Sequence, residues 1–178
     1  FIILISIIII NFKFFNKEKK VEVKKLEEIN SYNSNFLENV EYIAKDSKGN
    51  QYIIRAASGE IDLNNNEIIF LKDVRSIIKL TNSDEINIKS DFGKYNANNY
   101  DTIFSKNVII NYLENKITGD YLDFSLIKNK MILSRNIIFT NLENILQADV
   151  IEIDIDSKDT KIFMYEDTKK VNIKNKNF

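Results

Sequence analysis

Residues 103–112 read IFSKNVIINY, and the same pattern occurs earlier as IFLKDVRSII at 69–78 and later as ILSRNIIFT at 132–140. In each copy a polar segment ends in Asp or Asn and a β-branched residue follows it, giving the pairs Asp73–Val74, Asn107–Val108 and Asn136–Ile137. Isoleucine, valine and aromatic residues are typical of β-strands. The three stretches therefore predict three equivalent strands, each placed within a larger repeated unit.

The spacing of other residues supports this repeat. Ile61, Tyr95 and Phe124 each lie thirteen residues before the β-branched position, and Gly59 and Gly93 also occupy one shared position. A degraded fourth copy begins at 151–156, continues at 161–165 and resumes its apolar alternation at Val171 and Ile173. Terminal repeats are often atypical because stacking stops there. The pattern predicts stacked β-units with a continuous apolar interior.

The first strands of the repeat region are joined by a hairpin. Val40–Ala44 and Tyr52–Ala56 flank the polar segment 46–50, which contains Gly49. A five-residue polar turn with glycine between two β-type runs is a common hairpin connection. Alternation of apolar and polar residues in the later strands indicates that one face of the sheet is exposed to solvent, which favours antiparallel pairing. We therefore predict an all-β, antiparallel domain over residues 36–175.

Composition excludes several classes of function. The 178 residues contain no His, Cys, Trp or Pro, and the net charge is −1. Without His and Cys the chain has no serine triad, thiol nucleophile or usual zinc site. A near-neutral charge gives no field to attract nucleic acid. We expect no enzyme activity, no cofactor, no metal and no nucleic-acid partner.

The N-terminal segment is strongly apolar. Residues 1–10 read FIILISIIII, and three phenylalanines extend the run to residue 15. No small residues suitable for signal cleavage follow, so an uncleaved membrane anchor over 1–15 is favoured over a cleaved signal peptide. Residues 16–35 are charged and polar, which is typical of a linker or stalk. Five lysines between 17 and 25 would by themselves place this flank in the cytoplasm.

Taken together, these features resemble the OstA-like and LptC family. The carrying motifs are the repeat Gly-x-[aromatic or Ile]-[Asp/Asn] followed by Ile-Phe-x-x-[Asp/Asn]-Val, and the opening hairpin that runs from Asp46 into Arg55–Ala56. The resemblance covers roughly residues 36–173 and implies a twisted, open β-jellyroll of stacked antiparallel strands behind one N-terminal membrane-anchor helix. The implied location is the inner membrane, single-pass, with the β-domain in the periplasm.

The resemblance also implies a function in lipopolysaccharide transport. Proteins of this family take lipopolysaccharide from the permease subunits of an inner-membrane ABC transporter and pass it to an LptA-like bridge protein by head-to-tail β-strand pairing. Their jellyroll carries an apolar groove, and the candidates for it here are Ile61, Ile68, Phe70, Val74, Ile78, Tyr95, Phe104, Val108, Ile110, Tyr112, Phe124, Leu133, Ile137, Phe139, Ile153 and Ile155.

Two edges are candidates for docking partners. Val171 and Ile173 mark the C-terminal edge, and Val40, Tyr42 and Tyr52 mark the N-terminal edge. Any inward apolar residue is equally required by an ordinary core, so the groove rests on the resemblance and not on the periodicity. A structural β-repeat module without lipid binding, and a soluble LptA-like carrier, remain the alternatives.

Overall fold

Ten β-strands make up the part of the chain that the computed structural model describes, which is residues 35–46, 48–81, 83–166 and 168–176. The expected anchor over 1–15 and nearly all of the expected stalk over 16–35 lie outside these residues. The strands are β1 Phe36–Lys45, β2 Gln51–Ile61, β3 Ile68–Lys79, β4 Ile86–Asn96, β5 Thr102–Tyr112, β6 Asn115–Ser125, β7 Lys130–Thr140, β8 Asn144–Asp154, β9 Thr160–Phe163 and β10 Asn172–Asn175.

The strands form one antiparallel sheet in chain order. Each of β1 to β7 pairs with the next strand, while β9 and β10 both pair with β8. Short polar turns connect them, and Asx side chains close several; Asp46, for example, accepts hydrogen bonds from the backbone N–H groups of Lys48 and Asn50. The prediction of an all-β antiparallel sheet is confirmed for the described residues.

A row of backbone kinks crosses the middle of this sheet. Asn39 and Asp73 have positive φ in β1 and β3, and the corresponding places in β5 and β7 are two-residue bulges at Lys106–Asn107 and Arg135–Asn136. Asn and Asp tolerate the left-handed conformation better than other residues. The Asp or Asn that marks each sequence repeat therefore lies at the bend of its strand, in β5 and β7 together with Lys106 and Arg135, whose φ is also positive.

A kink in β1 and β3 and a bulge in β5 and β7 divide each of these strands into two halves, and the last strand is divided most. Phe163 of β9 pairs with Val150, and Asn172 of β10 pairs with Gln147. These positions on β8 match those where β7 carries its two-residue bulge between Ser134 and Ile137. β9 and β10 are therefore two halves of one ninth strand, separated by the eight residues 164–171. In the degraded fourth repeat, a loop therefore occupies the place of the two-residue bulge that β5 and β7 contain.

The sheet bends over so that one face packs against itself. Tyr42 of β1 stacks on Tyr95 of β4, with ring centroids 4.6 Å apart, and Tyr52 of β2 lies 5.8 Å from Phe124 of β6. Neither pair joins neighbouring strands, so these contacts require the two halves of the sheet to face each other. A single apolar cluster runs through the interior from Val40 in β1 to Ile155 after β8.

Two predicted inward residues lie on the wrong face. Ile69 and Leu71 belong to the core, whereas Phe70 is 46% exposed and Ile68, although shielded, is outside the apolar cluster. The cause is the kink at Asp73. This kink involves a single residue, whereas the equivalent bulges of β5 and β7 each involve two residues. An ungapped alignment of the repeats therefore shifts the first half of β3 by one position, which moves every side chain to the opposite face. The assignment of Ile68 and Phe70 to the interior face was wrong.

Gly59 and Gly93 lie within β2 and β4, and neither belongs to a turn or bulge. Both are opposite Leu71 in the ladder, on the inward face. A Cβ atom at Gly93 would lie 3.1 Å from Cγ2 of Val74, and one at Gly59 would lie 3.1 Å from Cγ2 of Val40. These glycines allow close packing where large residues of the neighbouring strands fill the interior.

Candidate functional site

A cavity of about 410 Å³ opens inside the folded sheet toward its C-terminal strands. Its walls are almost entirely apolar, and a few polar groups lie among them. The lining residues are Leu80, Ser83, Ile86, Ile110, Tyr112, Asn115, Ile117, Met131, Phe139, Leu146, Ile151, Ile153, Asp154, Ile155, Lys158, Thr160 and Ile162.

Two sets of strand ends make up the walls. One wall comes from the segment just after β3, the start of β4 and the hairpin of β5 and β6. It includes Leu80, Ile86 and Ile117. The other comes from β7, β8 and β9, with Ile151 and Ile162 as cross-strand partners. Strand alternation directs every second side chain inward. The cavity is thus the part of the sheet's apolar interior in which the side chains of the two walls do not contact each other.

The N-terminal part of the same interior is filled. A neighbouring space of only about 10 Å³ is lined by Tyr42, Tyr52, Tyr95, Phe124 and other residues. Burial raises the pKa of Tyr95, and burial and the charge of Asp46 raise the pKa of Tyr52. Large rings therefore close this end of the interior, while isoleucine and leucine leave the C-terminal end empty.

The predicted groove residues separate into two groups. Five of them line the large cavity, namely Ile110, Tyr112, Phe139, Ile153 and Ile155. Nine others lie in or against the packed core and not on the cavity wall, namely Ile61, Val74, Ile78, Tyr95, Phe104, Val108, Phe124, Leu133 and Ile137. Residues at the strand starts were missed, such as Ile86, Ile117 and Leu146. Alternation carried back from Ile88 places Ile86 inward, and Ile117 is the cross-strand partner of the inward-facing Ile110.

Polar groups at the rim are partly engaged with one another. The hydroxyl groups of Tyr112 and Ser83 are 2.8 Å apart and share a hydrogen bond. Asp154 accepts hydrogen bonds from the backbone N–H groups of Ser157 and Asp156, and these bonds, led by that of Ser157, lower the pKa of its carboxyl. Asp154 therefore organises the turn after β8, which carries Ile155 and Lys158 to the cavity.

The volume sets the size of a ligand. An apolar cavity of about 150 Å³ holds benzene, or about 25 Å³ per carbon. At that density a cavity of about 410 Å³ accommodates about 16 carbon atoms. This capacity matches one long acyl chain. No cluster of three or more acidic side chains suitable for a metal ion occurs in the described ranges.

The two edges of the sheet lie at β1 and at the β9–β10 strand. Ile173 is 64% exposed and pairs with Leu146, and Val171 directly precedes β10. Val40 and Tyr42 belong to edge strand β1, but their side chains point into the interior. Tyr52 belongs to β2 and is buried, so its placement on the N-terminal edge was wrong.

The described residues thus define a β-jellyroll that encloses an apolar cavity and has its two sheet edges at β1 and at the β9–β10 strand. A family model described as "Lipopolysaccharide-assembly, LptC-related" matches residues 1–176. The chain belongs to the LptC family, whose members are transport components and not enzymes. Family and fold together assign it a role in lipopolysaccharide transport.

A solved structure with the same fold is LptH of Pseudomonas aeruginosa, described as the LptA-homologous periplasmic component of the lipopolysaccharide transport device. The identity is 11%, the TM-score is 0.51, and the match covers 68% of this chain and 92% of LptH. No curated protein matches the sequence. Members of the LptC family are in general periplasmic proteins anchored in the inner membrane. The ranges that the structure describes contain no helix long and apolar enough to cross a bilayer.

Proposed function

We propose that this protein carries lipopolysaccharide by holding an acyl chain in the cavity between β3–β6 and β7–β9. The observation that carries the proposal is the cavity itself, which is apolar, has a volume of about 410 Å³ and lies beside the C-terminal edge. Each methylene removed from water contributes about 0.8 kcal/mol, so shelter for even one chain is worth on the order of 10 kcal/mol.

The two sheet edges contact different partners, so lipid would move from one edge of the protein to the other. Residues 1–15 anchor the chain in the inner membrane as a single span, the β-domain lies in the periplasm, and the β1 end faces the permease subunits of the ABC transporter. The β9–β10 edge pairs with the first strand of an LptA-like protein, since exposed backbone N–H and C=O groups accept a further strand. The cavity lies against this same edge, so an acyl chain leaving it meets the next jellyroll.

Photocrosslinking from neighbouring residues on opposite faces tests the lipid site. Phe139 lines the cavity, whereas Ile138 is 40% exposed on the outer face. A benzoylphenylalanine at position 139 should crosslink to lipopolysaccharide in cells, and the same group at position 138 should not. If neither position crosslinks, or both do equally, the chain is an interaction module without an internal lipid site.

Removal of β10 tests the docking edge. No residue of β10 lines the cavity, so a chain ending at residue 171 should retain lipid binding while losing its interaction with the LptA-like partner. Pull-down of that partner and binding of a fluorescent fatty acid would be measured on the same preparation. Retained docking without β10 would contradict the assignment of this edge. A chain recovered from the periplasm without residues 1–15 would instead support a soluble carrier.

A further inference from the structure

Three turns that are distant in sequence meet at the seam, by which we mean the line along which the two halves of the folded sheet face each other. Nζ of Lys48, in the turn between β1 and β2, lies 2.7 Å from Oδ2 of Asp156, in the turn after β8. Nδ2 of Asn129, in the turn between β6 and β7, donates to the same oxygen at 2.9 Å. Among the described residues, this is the only ion pair that joins parts of the sheet more than one strand apart.

The turn that carries Lys48 is rigidly built. Asp46 accepts hydrogen bonds from Nδ2 of Asn50 at 2.8 Å and from the hydroxyl of Tyr52 at 3.1 Å. Oδ1 of Asn50 in turn accepts from the backbone N–H of Thr81 at 2.9 Å. Burial acts to raise the pKa of Asp46, but the hydrogen bonds, led by that of Asn50, outweigh it and hold the pKa below its usual range. Asp46 therefore links the backbone of Lys48 to the hydroxyl of Tyr52 in one hydrogen-bonded unit.

This unit lies where the filled and the empty parts of the interior adjoin. Tyr52 packs on Phe124, and both line the small space of about 10 Å³. Phe124 is the cross-strand partner of Met131, which lines the large cavity. Asp156 follows Ile155, which also lines the large cavity. The backbone N–H of Ile155 donates a hydrogen bond to the carbonyl of Asn129 at 2.8 Å. The rings of Tyr52 and Phe124 therefore lie at the boundary between the two spaces.

We propose that the Lys48–Asp156 pair is a latch that holds Tyr52 over the interior, and that its opening extends the C-terminal cavity toward β1 so that more than one acyl chain fits. Both partners are partly solvent-exposed, with exposed side-chain fractions of 61% and 39%. The side-chain hydrogen bond to Asp156 raises the pKa of Lys48, which favours the charged form of the lysine. Exposed pairs are weak and screened by salt, which suits a contact that must open and close.

The absence of cysteine in this chain makes a direct test of the latch practicable. Ser76 is 5% exposed and lines the small space, whereas Ser90 is 6% exposed and does not. Both hydroxyl groups donate to a backbone carbonyl, so Ser76→Cys and Ser90→Cys are matched reporters. The rate at which each thiol reacts with a water-soluble disulfide measures how often that part of the interior opens.

In the full chain, Lys48→Glu should raise the reaction rate at position 76 about two- to fivefold and leave position 90 unchanged. Lys48→Arg and the charge-reversed pair Lys48→Glu with Asp156→Lys should restore the original rate. Arg55→Glu is the control, because Arg55 pairs with Glu41 on the adjacent strand at 2.5 Å and does not cross the seam. Equal acceleration at both thiols, or none at position 76, would refute the latch.

A lipid measurement separates this inference from the proposed function on which it rests. A bis-maleimide that bridges Lys48→Cys and Asp156→Cys should leave binding of a single-chain fluorescent fatty acid unchanged and reduce binding of lipopolysaccharide at least tenfold. The same reagent on Glu41→Cys and Arg55→Cys should change neither. Undiminished lipopolysaccharide binding in the bridged form would overturn the latch. Failure of both ligands to bind the unmodified chain would overturn the proposed function and leave the thiol result standing.

Discussion

The cavity predicts how affinity depends on acyl-chain length. Each additional methylene that enters an apolar site contributes about 0.8 kcal/mol, which is roughly a fourfold gain in affinity. The volume of about 410 Å³ accommodates about 16 carbons. For a series of single-chain alkyl sulfates below their micelle concentrations, the dissociation constant should therefore fall roughly fourfold per carbon and level off near 16 carbons.

Isothermal titration calorimetry of the isolated β-domain measures this dependence. A variant that fills the site should move the plateau without changing the slope below it: Leu146→Trp, which projects into the cavity, should shift the plateau to shorter chains. Ile138→Trp adds the same ring on the outer face and should leave the curve unchanged. A dissociation constant independent of chain length, or one that keeps falling at the same slope well beyond 16 carbons, would refute the reasoning from volume.

Three further predictions concern stability. Ile110→Asp places an unpaired carboxylate where the side chain is 4% exposed, so chemical denaturation should show a loss of about 3 kcal/mol or more, against less than about 0.5 kcal/mol for Ile138→Asp; similar losses would contradict the face assignment. Gly93→Ala should cost about 1–3 kcal/mol in the same assay, because its Cβ would lie 3.1 Å from Val74; an unchanged midpoint would show that the interior is loosely packed there. Asp46 has a lowered pKa when folded, so its stabilisation is present above its unfolded pKa and disappears as the pH falls through the folded value. Asp46→Asn should therefore lose less stability on acidification than the unaltered chain, and identical pH profiles would disprove this role.

Much of this architecture is readable from the repeat. The Asp or Asn before each β-branched residue identified equivalent strands, and the structure shows that Asp73, Asn107 and Asn136 are the kinked residues themselves. The sequence also indicated that the fourth copy was interrupted, and an eight-residue loop indeed replaces the bulge there. Local chemistry explains this success, because Asp and Asn are several-fold enriched among residues with side chains that adopt the left-handed backbone conformation.

Other features depend on contacts that periodicity does not encode. Phe70 was assigned inward because it shares its alternation with Val74 and Ile78, but the kink at Asp73 shifts the pattern by one residue, and a one-residue shift reverses the face. Tyr95 and Phe124 look like equivalent groove positions in the repeat, yet each meets a ring from β1 or β2 that fills the space. Which part of the interior stays empty is decided by how far the sheet bends over, and that is a property of the whole fold.

The lipid site proposed for this protein places an acyl chain inside the folded sheet at its C-terminal end. A fatty acid with a nitroxide on its chain, added to protein labelled at isoleucine methyl groups, tests this claim by paramagnetic broadening of the methyl NMR signals. Strong broadening is expected at Ile110, Ile117 and Ile153, which line the cavity, and sharp signals are expected at the outward-facing Ile138. Broadening at Ile138 with the cavity isoleucines unaffected would contradict it.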